Sequence, residues 1–429
     1  MSVLLSSTFA SLPSSIHTFA AAPLGDPLLG GKVDPTVLLV VLLKVVVAFV
    51  GLLIGVILMV WFERKVISDM QNRLGPNRAG PWGLLQTVAD GMKLIFKEDL
   101  IPDKADRFVF RLAPFLSLVP AFLTFAIVPI AGSFNDGLGG QVEILGHKTL
   151  MQVADPQIGI LLFLVMSSIA VYGIMLAGWS SGSKYPLLGS VRATAQMISY
   201  EAALGLALAS VLLIAGTLST NGIVSAQSGW EWNVWMTGLV PFVIFTIAAT
   251  AELNRPPFDL VEAEQELVGG FHTEYSSFRF AMFYLAEFLN TVTMSAIIVT
   301  LFFGGPSGPT FGLTGWVGVY VLPFIWFFLK LLVFLCMFVA FRATLPRFRY
   351  DQVMNLGWKV LIPVALGWFL VLAGVRVAVD QDWNILATIL GGVAGFMLGG
   401  ALLALAIRSS EAKRSALKRT ASPRVGGRS

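Results

Sequence analysis

The chain has 429 residues, of which 56% are hydrophobic and 13% charged, with a formal net charge of +4. Soluble domains carry about twice that share of charge, and a mean hydropathy of +0.79 excludes a water-soluble globule. One cysteine, Cys336, and three histidines, His17, His147 and His272, exclude a disulfide within the chain, an iron–sulfur cluster, a structural zinc and a bis-histidine haem.

Residues 1–36, rich in Ser, Ala and Pro, lack the basic start of a signal peptide and read as a loosely ordered external leader. A membrane-crossing helix needs about 20 apolar residues. Nine runs qualify: 37–60, 110–131, 157–179, 193–216, 234–251, 280–303, 317–341, 359–379 and 384–407. None alternates as a barrel strand would. The predicted class is all-α, a polytopic transmembrane helix bundle of about nine spans. Its eight-span core covers 37–379, with loops at 61–109, 180–192, 252–279 and 342–358, then an additional ninth span and a basic tail at 408–429.

Loop 61–109 places Arg64, Arg73 and Arg78 around a Gly75-Pro76 turn signal. Leu84, Leu85, Val88, Met92, Ile95 and Phe96 then recur at helical spacing. This predicts an amphipathic helix of about four turns on the membrane surface. It reads either as a stabilising surface element or as the mouth through which a lipid-soluble molecule enters. In the fourth span Glu201, and in the sixth Glu287, join Lys44 and Lys330 as ionisable residues within apolar runs. A charge at the bilayer centre costs roughly 3 kcal/mol on insertion scales, so such residues face protein or water. Both glutamates lie about seven residues in from one end of their runs. Tyr284 and Asn290 share a helical face with Glu287. The alternative role for each buried charge is polar glue between helices.

Loop 252–279 begins AELNRPPFDLVEAEQELVGGFHTEY from residue 251 and sets Glu252, Asp259, Glu262, Glu264, Glu266 and Glu274 against Arg255. Pro256 and Pro257 end the fifth span. If 259–267 is helical, Asp259, Glu262 and Glu266 share one face and raise one another's pKa; the plainer reading is a solvated charged face. Lys and Arg concentrate on the side of this loop, from Arg64 to Arg111, at Arg342 to Lys359 and in the tail, against Lys32, Lys148 and Arg376 opposite. The asymmetry predicts an outside N-terminus and a cytoplasmic C-terminus, in a bacterial cell membrane. The tail is short and lacks interleaved aromatics, so no nucleic-acid partner is expected. No strand-plus-glycine loop for a nucleotide is present.

Four stretches together resemble one family: ERKVISDMQNRLGPNRAGPWGLLQTVADGMKLIFKED, VYGIMLAGWSSGSKYPLLGSVRATAQMISYE, AELNRPPFDLVEAEQELVGGFHTEYSSFRFAMFYLAEF and FRATLPRFRYDQVMNLGWK. They run from the end of the first span into the eighth. They are similar to the quinone-site membrane subunit of the proton-translocating NADH:quinone oxidoreductase, respiratory complex I. The resemblance implies an enzyme subunit without a redox centre that walls the quinone channel and couples quinone reduction to proton translocation. It implies a proton path through Glu201, Glu252 and Glu287 with the acidic loop Asp259, Glu262, Glu264 and Glu266. It implies a quinone channel at Arg64, Arg73, Arg78 and Phe271. Quinone is then the substrate, while NADH, FMN and iron–sulfur clusters sit on partner subunits. The implied partners are the peripheral-arm quinone-site subunits, small membrane subunits, antiporter-like subunits and membrane lipid. Two features depart from the pattern. His272 stands where the family commonly has Asn, and the ninth span carries a Gly391, Gly395, Gly399 stripe suited to close helix packing. Rival readings are the homologous subunit of a membrane-bound hydrogenase-type complex and an ion-coupled secondary transporter; the latter calls for inverted repeats and paired broken helices that the sequence does not show.

Overall fold

Helix α1 (Pro35–Met70) begins on a proline, whose missing amide costs nothing in a first turn. Its 36 residues reach about 54 Å at 1.5 Å each, against a hydrocarbon layer about 30 Å thick. The polar last turns, ERKVISDM, therefore stand clear of the apolar layer. The computed structural model describes residues 25–30, 34–134, 139–260, 267–313, 315–381 and scattered positions between 391 and 409. The chain divides into a first unit ending at Ile362 and a second beginning at Pro363.

After α1 comes α2 (Gln86–Phe96), 11 residues and three turns where the pattern predicts four. Leu84 and Leu85 fall in the turn before it, behind the left-handed Gly83. The helix leaves Val88, Met92, Ile95 and Phe96 exposed. Asp90 pairs with Arg64 of α1 at 2.6 Å, and the Ser277 hydroxyl donates to the Leu94 carbonyl at 3.0 Å. Next follow α3 (Arg107–Phe125), N-capped by the Asp106 carboxylate, α4 (Gly159–Ser180) and α5 (Lys184–Ala215), which ends on the left-handed Gly216. Two short helices, α6 (Thr220–Ala226) and α7 (Asn233–Met236), lead into α8 (Leu239–Glu252). Helices α9 (Ser277–Phe302), α10 (Leu322–Thr344) and α11 (Tyr350–Leu356) complete the unit.

Among the described residues, seven helical segments are long and apolar enough to cross a membrane, matching seven of the predicted runs. The fifth run forms α8, whose 14 residues span only about 21 Å. The ninth lies almost wholly outside the described residues, as do the tail and most of the leader. Helix α9 is the centre: 83% of its apolar window is buried, against 17% for α1, and it packs on α1, α3 and α10. Helices α4, α5 and α8 stack in succession beside it.

Helices begin earlier than hydropathy marks them, α5 at 184 instead of 193 and α9 at 277 instead of 280. Polar residues in KYPLLGSVR and SFR are helix-compatible but not apolar, so hydropathy finds the greasy part and not the helix. Glu201 therefore lies 17 residues into α5 and Glu287 ten residues into α9.

On the opposite face an antiparallel hairpin joins β1 (Gln141–Ile144) to β2 (His147–Leu150) through Leu145 and Gly146, both at positive φ. Asp26, from the leader, pairs with Lys44 of α1 and accepts from Thr149 of β2. Lys44 is thus neutralised by the leader and takes no part in the acid series.

In the second unit, α12 (Ile362–Asp380) is the main described element. A Cβ on Gly392 would touch Val371 of α12 at 3.5 Å, whereas Gly391, Gly395 and Gly399 have nothing within 4 Å. The stripe is uncovered by the described residues.

Packing is close where α5 meets the turn after the acidic loop. A Cβ on Gly189 would stand 2.7 Å from the Gly270 Cα. Gly189→Ala is expected to force that turn, with Phe271, off α5 at a cost of about 1–3 kcal/mol. A lowered thermal midpoint of the purified protein checks this; an unchanged midpoint would mean the turn shifts freely.

Candidate functional site

The buried acids fall into two groups. In the first, Ser167 and Ser168, adjacent on α4, donate to Glu252 of α8 and Glu201 of α5 respectively. Consecutive helix residues point about 100° apart, so neighbouring serines can serve glutamates on two different helices. Glu252 is 8% exposed, and its Oε2 accepts no hydrogen bond among the described residues.

The second group alternates in charge. Arg255 is 1% exposed; its Nε donates to Glu287 at 3.1 Å and its Nη1 to Glu63 at 2.9 Å. Glu63, itself 4% exposed, also accepts from Arg342 of α10. The Arg255 guanidinium lies 4.5 Å above the Phe288 ring, a cation–π contact that suits a desolvated arginine. Two cations and two anions thus balance in a row from α9 through the post-α8 turn to α1 and α10. Such a row is stable only as a whole, because removing one partner leaves an uncompensated buried charge.

Three cavities run through these groups. An open pocket of about 630 Å³ is lined by Glu63, Arg64, Arg73, Tyr284, Phe288 and Arg342 among others. Tyr284 also lines a second cavity of about 80 Å³, with Glu252, Phe271, His272, Glu287 and Asn290. Glu252 and Asn290 in turn line a third, with Ser167 and Thr293. Tyr284 lines both of the first two, so it stands between the open pocket and the interior.

Of the site residues expected from sequence, Glu252, Glu287, Arg64, Arg73 and Phe271 line these spaces, whereas Glu201 lines none of the three and is tied to Ser168 beside Ser167. Arg78 is exposed and lines none of these three cavities. Asp259 is in an irregular stretch, not a helix, and binds Arg347 at 2.7 Å. Amide bonds from Phe258 to Arg255 and from Leu260 to Phe258 hold that stretch as successive turns, so the shared helical face expected over 259–267 does not include it. Glu262, Glu264 and Glu266 lie outside the described residues. Lys330 donates to the carbonyls of Phe303, Gly305 and Ser307, capping the end of α9. Glu63, the hub of the second group, escapes sequence reasoning: at the end of an apolar run beside Arg64 it reads as an ordinary interfacial charge.

Aromatic packing fixes the loop wall. Tyr275 stacks on Phe110 at 4.0 Å and donates to the Phe110 carbonyl, while Phe271 and Tyr275 both meet Phe283 edge-on. His272 sits between Phe271 and Phe280 rings at 5.1 and 5.4 Å, and burial pulls its pKa down to about 4. The folded protein keeps this imidazole neutral, whereas the unfolded chain takes up a proton below its usual 6.5. Stability therefore falls as pH drops from 6.5 towards 4, at up to about 1.4 kcal/mol per pH unit from this group. His272→Asn is expected to flatten that part of a melting-temperature profile; an identical slope in the variant would remove His272 as its source.

Fold and site define an all-α, polytopic integral membrane protein that holds rows of charged groups between its helices. The family model described as NADH dehydrogenase matches residues 43–373, and the chain belongs to that family. It is similar to proteins from three organisms, each named as the H-type subunit of NADH-quinone oxidoreductase. The Frankia alni protein is 54% identical over 394 residues, covering 89% of this chain and 83% of the relative. That of Frankia casuarinae is 53% identical over 370 residues, covering 86% and 79%. That of Streptomyces avermitilis is 47% identical over 376 residues, covering 87% and 79%.

Proposed function

We propose that this chain is the quinone-site membrane subunit of the proton-translocating NADH:quinone oxidoreductase, lining the quinone channel and coupling quinone reduction to proton movement. The carrying observation is adjacency: the open pocket and the Glu252–Glu287 cavity share Tyr284 as a wall, and that cavity shares Glu252 and Asn290 with the one at Ser167. The open pocket offers Arg64, Arg73 and Arg342 beside apolar walls, which suits a polar quinone head on an isoprenoid tail. Electrons come from partner subunits, which carry NADH, FMN and the iron–sulfur clusters. This chain's own residues orient the head group, exclude water and hold protons.

Coupling follows from electrostatics. Two unit charges 4 Å apart interact by about 4 kcal/mol even at an effective dielectric of 20. A change of charge beside Arg64 and Arg342 therefore acts on Glu63, then on Arg255 and Glu287, along one row of pairs. Glu252, Glu201 and the two serines hold protons next to that row. Asp259 and the acids Glu262, Glu264 and Glu266 would supply protons from the cytoplasmic side, with the N-terminus outside. The peripheral arm docks on the loops of that side, and the antiporter-like and small membrane subunits flank the helices.

Purifying the tagged chain in mild detergent, with a photoreactive quinone added, tests this reading. The expected result is copurification of a large hydrophilic arm and labelling around Arg64, Arg73 and Tyr284. A chain that purifies alone, or with hydrogenase components, would overturn it.

A further inference from the structure

Away from the charged row, α8 and α10 enclose a groove of about 370 Å³. Phe242, Val243, Pro257, Phe258, Phe341 and Leu345 are among its walls. Two threonines also line it, but Thr246 and Thr250 donate their hydroxyls to the Phe242 and Thr246 carbonyls, 2.8 and 2.7 Å away. The groove therefore presents almost no hydrogen-bonding group of its own. It opens outward, where Val243 and Leu345 are 47% and 43% exposed. From Phe242 to Thr250 it runs about 12 Å along the helix and ends on the side of the basic loops, at Pro257 and Phe348.

Two cations neighbour the groove's lining residues in sequence. Arg349 follows the wall residue Phe348, and Lys359 stands about one turn beyond the wall residue Leu356; both are exposed and in no ion pair among the described residues. An apolar slot with exposed cations next to its lining residues matches one occupant, the chain of an anionic lipid. The slot is apolar along its length and opens outward, which suits a flexible hydrocarbon chain. A single hydrocarbon chain can enter.

We infer that the groove seats one acyl chain of an anionic phospholipid, with Arg349 and Lys359 holding its phosphate. The lipid touches Phe258, which packs on Tyr200 and Phe348 and directly precedes Asp259. It thus props the turn between α8 and the acidic loop from the membrane side. This assignment is independent of where quinone binds.

The test uses the intact complex as extracted and two probes, phosphatidylglycerol and phosphatidylcholine, each with a diazirine on one acyl chain. Phosphatidylglycerol is expected to label peptides containing Val243 and Leu345 several-fold more than phosphatidylcholine. The double variant Arg349→Ala, Lys359→Ala is expected to lower that labelling roughly tenfold or more. Thr246→Trp, which fills the slot and spares both cations, is expected to abolish it. Comparing the two lipids needs no variant, so a folding defect leaves the test intact. Equal labelling by both lipids overturns the assignment. So does absence of labelling, with a Val243→Cys crosslink showing a partner helix across the groove.

Discussion

Arg255→Met is expected to destabilise the protein by about 3–5 kcal/mol, enough to deplete the assembled complex from membranes. The side chain is enclosed and its removal strands Glu63 and Glu287 in a low-dielectric interior. Arg342 still contacts Glu63 but is 36% exposed and cannot serve both acids. The diagnostic is a cycle: adding Glu63→Gln and Glu287→Gln to Arg255→Met removes the stranded charges and should recover much of the lost stability. Complex abundance on native gels and the thermal midpoint in detergent measure it. If the triple variant is no better than the single one, Arg255 matters through shape and not through charge.

Glu252→Gln is expected to leave assembly intact and to lower proton pumping, with quinone reductase activity coupled to it, at least tenfold in sealed vesicles. The amide keeps the carboxylate's size and can still accept from Ser167, but it cannot exchange a proton. Ser167→Ala keeps the acid and loses only a hydrogen bond, a change of about 1 kcal/mol, so its effect should be several-fold at most. Full pumping with full reductase activity in Glu252→Gln would take Glu252 out of the path.

How much could be read from the sequence divides along local and long-range lines. Seven apolar runs and the proline break after α8 are local properties, and the helices bear them out. The depth of Glu201 and Glu287 differs from the reading because the helices begin before the apolar runs do. The partners are not local. Glu63 meets Arg342 across 279 positions, Asp259 meets Arg347 across 88, and Lys44 meets a leader residue. No periodicity encodes such pairings. The resemblance implies one path through Glu201, Glu252 and Glu287; they form two groups because an arginine intervenes at Glu287 while serines bridge the other two. The hairpin escapes notice because VEI-LG-HKT is short, although a two-residue turn with Gly between polar-apolar alternations is its available signal.

Most hydroxyls along the second half of α9 bond within their own helix. Thr291, Ser295 and Thr300 each donate to the carbonyl four residues back, so their hydrogens are committed to their own helix. Thr293, facing the third cavity, has no hydrogen-bond partner among the described residues and is the last uncommitted hydroxyl on α9 before its far end. On the proposed coupling, α9 therefore offers no uncommitted hydroxyl beyond Thr293 to carry a proton from Glu252 further along its own length.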